Sequence, residues 1–104
     1  MKHLNLETIE RYDAAKFYRT EIFKDARVRT LLLTLLPGQS VPSHKHAGCT
    51  VMLQALRGAA EITLDGETFT LRAGEIVFAD GANSFAPANR GTENFAMLVT
   101  LVSR

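Results

Sequence analysis

The chain reads as an all-β domain, a small antiparallel barrel or two-sheet sandwich. Three observations predict it. In AEITLDGETFTL, Ile62 and Leu64 alternate with Glu61, Thr63 and Asp65, and beyond Asp65-Gly66 the alternation resumes with Phe69 and Leu71 against Thr68 and Thr70. Successive strand side chains point to opposite faces, and Asp-Gly accepts the positive φ of a type I′ turn, so this stretch is a hairpin. Short apolar segments then recur with turn signals every several residues, the spacing of a sandwich or barrel. No stretch after residue 20 carries helical periodicity.

Residues 1–20 are set apart as an N-terminal arm. LNLETIERYDAAKFY places Leu6, Ile9 and Tyr12 at a loose helical spacing that fits either a short helix or an irregular segment lying on the body. The barrel domain is assigned to residues 21–104. EIFKDARVRTLLLTLLPG is rich in β-branched and apolar residues, with Asp25 as its turn and Pro37-Gly38 as its stop, and predicts one strand or a hairpin. A strand then reaches Gly58, followed by the Asp-Gly hairpin, EIVFAD, the polar turn DGANS, FAPANRG and a final strand FAMLVTLV.

With 104 residues the chain has the size of one ordinary domain, and 46% hydrophobic with 22% charged residues is a globular balance. Twelve Lys plus Arg against eleven Asp plus Glu are scattered, which predicts no nucleic-acid partner. The start, MKHLNLETIERYD, lacks the apolar region of a secretory signal, and the Leu31–Leu33 and Leu35–Leu36 runs are too short to span a bilayer, so no membrane association is expected. The single cysteine allows no internal disulfide, and a cytoplasmic location is the default expectation.

The chemistry concentrates in PGQSVPSHKHAGCTV, residues 37–51. Histidines at i and i+2 on a strand share a face, so His44 and His46 can share one divalent ion, although two imidazoles alone make a weak site. An exposed pair at a strand end is the competing reading. Gly38, His44, His46 and Gly58 resemble the first cupin motif, G-x5-H-x-H-x(3,4)-E-x6-G, and Gly74 to Asn89 resemble the second, G-x5-P-x-G-x2-H-x3-N. The Asp-Gly hairpin lies between them, where the inter-motif segment lies in that family, and the resemblance spans roughly residues 26–103. It implies a jelly-roll barrel of the short single-domain type.

The resemblance also implies a metal set that this chain only half supplies. Val51 stands where the family's glutamate is expected, with Thr50 one place earlier, and Phe85 stands where the third histidine is expected, or Ser84 if the motif is aligned on Gly81. Asp80 takes the usual proline position. Substitute donors within the motif region are Cys49, Gln54 and Asn83, and a cysteine thiolate is the strongest of them for Zn²⁺ or Fe²⁺.

Three functional readings follow. In the first, His44 and His46, completed by Cys49, Gln54 or water, hold Fe, Mn, Ni or Zn in a metal-dependent dioxygenase or isomerase. In the second, a barrel without metal or catalysis binds a small molecule in a pocket built from Leu33, Val51, Leu53, Gln54, Phe78, Asn83, Ser84 and Phe85, with the histidines at its mouth. Retention of both histidines favours some metal contact. A third reading makes the barrel mainly a dimeric structural module without catalysis; a homodimer is expected, with FAMLVTLV as the strand to examine for its interface.

Overall fold

The first strand begins earlier than the arm boundary at residue 20 suggests. In a computed structural model describing residues 1–104, Tyr18–Lys24 form β1 and Val28–Leu35 form β2. They pair antiparallel, with Tyr18 opposite Thr34 and Arg19 opposite Leu33, so backbone partners extend β1 beyond what its own composition signals. The turn forms where Asp25 predicts it. The Asp25 carboxylate accepts from the Arg27 and Val28 amides, each at 2.8 Å, and these bonds hold its pKa below the ordinary carboxylate value.

The remaining strands are β3 (Cys49–Arg57), β4 (Ala59–Leu64), β5 (Glu67–Arg72), β6 (Ile76–Asp80), β7 (Phe85–Ala88) and β8 (Phe95–Ser103). β4 and β5 form the predicted hairpin, and Asp65 (φ 47°) with Gly66 (φ 85°) supplies the two left-handed residues of its turn. A five-stranded antiparallel sheet runs β1-β2-β8-β3-β6 and a three-stranded one runs β5-β4-β7. β8 therefore sits between β2 and β3, at the centre of the larger sheet, and offers no edge to a second subunit. The edges of that sheet are β1 and β6.

The two sheets face each other over one core. Leu31, Leu33 and Leu35 from β2, Val51, Leu53 and Ala55 from β3, and Phe95, Met97, Val99 and Leu101 from β8 meet Ile62, Leu71 and Phe85 from the smaller sheet. Completely buried side chains such as Leu53, Ile62 and Phe95 each contribute about 1.5–3 kcal/mol of transfer free energy. β2 is buried on both faces because the arm covers its outer side. A short helix α1, Leu6–Ile9, is capped by Asn5, and Leu6 and Ile9 pack with Leu56 and Leu98 on Ile22, Leu32 and Ala96.

Polar bonds lock the arm in place. The Thr34 hydroxyl donates to the Arg11 carbonyl, the Gln39 amide donates to the Asp13 carbonyl at 2.6 Å, and Arg57 pairs with Glu10 at 2.8 Å. No helix is long and apolar enough to cross a membrane.

Candidate functional site

The histidine pair lies outside any regular strand. Between Pro37-Gly38 and Cys49 the chain first runs beside β7, through a Ser40–Ala88 bridge, a Val41 N–H to Pro87 carbonyl bond of 2.9 Å and a His44–Phe85 bridge. Pro42 lacks a donor and interrupts this ladder, and after His44 the chain leaves β7 altogether. The His46 amide donates instead to the Gly81 carbonyl at 2.8 Å, and the Ala47-Gly48 turn feeds β3. Two-residue alternation is thus not what brings the imidazoles together. They converge because separate anchors, Phe85 and Gly81, hold the two residues at one end of the barrel.

The rings meet edge to face, with centroids 5.0 Å apart and planes at 87°. Phe85 lies 4.3 Å from the His44 ring and 5.8 Å from the His46 ring. His44 Nδ1 is 2.9 Å from the Pro42 carbonyl, which can only accept, so the proton sits on Nδ1 and the Nε2 lone pair is free. Burial, reinforced by His44, Arg29 and Arg19, holds the His46 pKa below the usual histidine value, so its ring is neutral at neutral pH.

The pair opens onto a cavity of about 290 Å³. Its walls are Phe17, Leu31, Leu33, Val41, Phe85 and Val99, and its polar lining is Arg19, Ser43 and the two histidines. Of the residues read from the sequence, His44, His46, Leu33 and Phe85 come together here. Val51 (1% exposed) and Leu53 (0%) lie in the core and do not line the cavity. Gln54 alternates out of phase with them on β3 and faces the opposite side of the sheet. Phe78 is 67% exposed on the outer face of β6.

The turn after β6 does not reach the cavity either. The Asn83 amide donates to the Asp80 carbonyl at 2.9 Å, and the Ser84 amide and hydroxyl donate to the Asp65 carboxylate at 2.9 and 3.2 Å, tying this turn to the β4–β5 hairpin. Asp80 receives the Ala82 amide and pairs with Arg104 at 2.8 Å, which holds its pKa down. These residues close turns. Cys49 sits on the other side of His46, in a shallow depression with Arg29, Leu101 and Ser103.

The cavity walls that the sequence did not reveal come mostly from β1 and its approach. Phe17 and Arg19 fall within the arm by composition alone. Counting outward from the Asp25 turn would set Arg19 opposite Thr34; a bulge between Glu21 and Phe23 shifts the register and sets it beside Leu33, so the sequence carried no signal for it. Leu31 shares the face of Leu33 two residues on, and Val99 is opposite Leu31 on β8.

The donor set does not fit a resident divalent metal. Nowhere do three His, Cys, Asp or Glu side chains converge, and beside the two imidazoles Phe85 fills the space from which a third donor would come. Two imidazoles leave the cost of stripping water from the ion largely uncompensated. What the arrangement can do is enclose an apolar body and offer hydrogen-bonding nitrogens at one end.

Comparison with known proteins agrees with the architecture. The structure resembles the TT1209 protein of Thermus thermophilus, with a TM-score of 0.93 and 27% identity over 100% of this chain and 99% of that one. An uncharacterised conserved protein with a double-stranded β-helix domain from Klebsiella pneumoniae gives 0.92 at 20% identity, over 99% and 90% of the two chains. A predicted oxalate decarboxylase from Thermotoga maritima gives 0.79 at 22% identity, over 85% and 81%, a likeness of fold. No curated protein matches the sequence. The cupin domain profile matches residues 31–101, from β2 through nearly all of β8 and across both motifs, and the chain belongs to the cupin family.

Proposed function

We propose that this protein is a small-molecule-binding cupin barrel that works without a resident metal. One observation carries the reading: Phe85 packs against both histidine rings, in a cavity whose walls are apolar and which no carboxylate or thiolate lines. A volume of about 290 Å³ stands near the lower end of ligand pockets, about 300–1,000 Å³, and suits a molecule with a single ring or a branched aliphatic body. Fe, Mn, Ni or Zn would meet only the two imidazoles and exchange freely. His44 Nε2 and the neutral His46 ring serve as hydrogen-bonding groups for the ligand's polar end.

The test is amide chemical-shift mapping with indole as a neutral aromatic probe. Saturable shifts concentrated at Leu31, Leu33, His44, Phe85 and Val99 are expected. Shifts scattered over the surface, or none at millimolar indole, would remove the pocket reading.

We propose that self-association runs through β6 in place of FAMLVTLV, which lies inside the larger sheet. β6 is an edge strand with Ile76 45% and Phe78 67% exposed, a natural place for a second copy to cover. Sedimentation velocity of the wild type beside Phe78→Ser checks it: a dimer that the variant converts to monomer supports the reading, and an unchanged sedimentation coefficient opposes it.

A further inference from the structure

We propose that the ligand is a small organic acid, an apolar body carrying one carboxylate that Arg19 receives at the cavity mouth. The inference rests on the pocket reading above and names the chemistry of its ligand. Arg19 is the one charged residue among those lining the cavity. The four ion pairs of the molecule engage Arg29, Arg57, Arg90 and Arg104, which leaves this guanidinium without a carboxylate partner. A guanidinium offers a planar fork of donors that matches a carboxylate, and it holds its charge at every physiological pH.

The surroundings exclude the alternatives. A cationic ligand would meet no acidic side chain in the cavity, and a sugar would meet six apolar walls and a single hydroxyl, that of Ser43. On the other side of His46 the adjoining depression carries Lys24, Arg27 and Arg29. Glu21, paired with Arg29 at 2.7 Å, and Asp25, on the rim of the depression, offset part of that charge. The balance at this end stays positive with Arg19, Lys24 and Arg27, above an apolar floor, which attracts an anion and retains its hydrocarbon part.

The geometry also orients the acid. Arg19 lies opposite Leu33 on the β1–β2 pair, while Phe85 and the histidines stand on the loop and β7 side. A carboxylate at Arg19 sends the apolar body down between Leu31, Leu33 and Phe85, and leaves one carboxylate oxygen free to accept from the His46 ring N–H.

The experiment is calorimetric titration with phenylacetate and phenylacetamide, two probes of nearly equal shape that differ in charge, against the wild type and Arg19→Gln. Arg19 is exposed, so the variant keeps the fold. The wild type is expected to bind phenylacetate at least about tenfold tighter than the amide, as suits a hydrogen bond to a charged group. Arg19→Gln is expected to bring the two within about threefold, chiefly by weakening phenylacetate binding. Equal binding of both probes by the wild type, or an acid preference that survives in Arg19→Gln, would overturn this inference and leave the pocket reading standing. Failure of both probes to bind would overturn the two together.

Discussion

The two ends of β7 have opposite characters. At its far end Asn89, 1% exposed, is completely satisfied: its side-chain amide donates to the Leu35 and Glu93 carbonyls at 3.0 and 2.8 Å, and its oxygen accepts from Gly91. Its backbone exchanges bonds with Gly38 and Gln39, both at 2.8 Å. At the near end, Phe85 and the histidines leave ring nitrogens facing an open cavity. One end commits all its side-chain polar groups to the fold, and at the other only His44 Nδ1 is so engaged. Asn89 stands at the end of the second motif while Val51 and Phe85 stand where the motifs carry glutamate and histidine, so the barrel forms without those two donors.

Substitutions test that contrast. The largest effect is expected for Asn89→Ala, which orphans the buried Leu35 carbonyl and loses three side-chain bonds; urea unfolding should lose about 2–4 kcal/mol. Gly81→Ala follows. A Cβ there would run into the His46 carbonyl oxygen, so a loss of about 1–3 kcal/mol is expected, together with altered His44 and His46 ring signals. His44→Ala should cost only about 0.5–1 kcal/mol, since it removes one partly exposed bond to the Pro42 carbonyl. If His44→Ala proved as damaging as Asn89→Ala, the mouth would be structural and the contrast would fail.

The smallest effect is a pH dependence. Because the folded pKa of His46 is depressed, its stability contribution is present in full above the ordinary value of 6.5 and declines as pH falls through it toward the folded value. The groups that keep protons off are the solvent-depleted surroundings, His44, Arg29 and Arg19. The wild type should therefore lose slightly more thermal stability than His46→Gln between neutral pH and about pH 5. An equal loss in both would remove His46 from the pH response. Asp25 and Asp80 act in a separate window, losing their contribution only as pH falls through their lowered carboxylate values.

The barrel was legible where local chemistry and tertiary pairing agree. Asp65-Gly66 needs positive φ angles that few other pairs tolerate, and the alternation around it fixes the register. The cavity was less legible, for identifiable reasons. In EIVFAD both strand faces are apolar, Ile76 and Phe78 on one and Val77 and Ala79 on the other, so periodicity finds the strand without saying which face turns inward. The His-x-His spacing implied a strand, but Pro42 and the Ala47-Gly48 turn take the chain out of the ladder, and the imidazoles meet through anchors far away in sequence. Phe17 and Arg19 stayed hidden because β1 owes its first residues to pairing with β2.

The central claim, a ligand pocket with no resident metal, is tested most directly by elemental analysis of tag-free protein after incubation with Zn²⁺ and Mn²⁺ and exhaustive dialysis, beside the Phe85→His variant. Well under one ion per chain is expected for the wild type and a marked gain for Phe85→His, whose new imidazole would lie among the two already present. One tightly held ion per wild-type chain, lost in a His44→Ala, His46→Ala double variant, would contradict it.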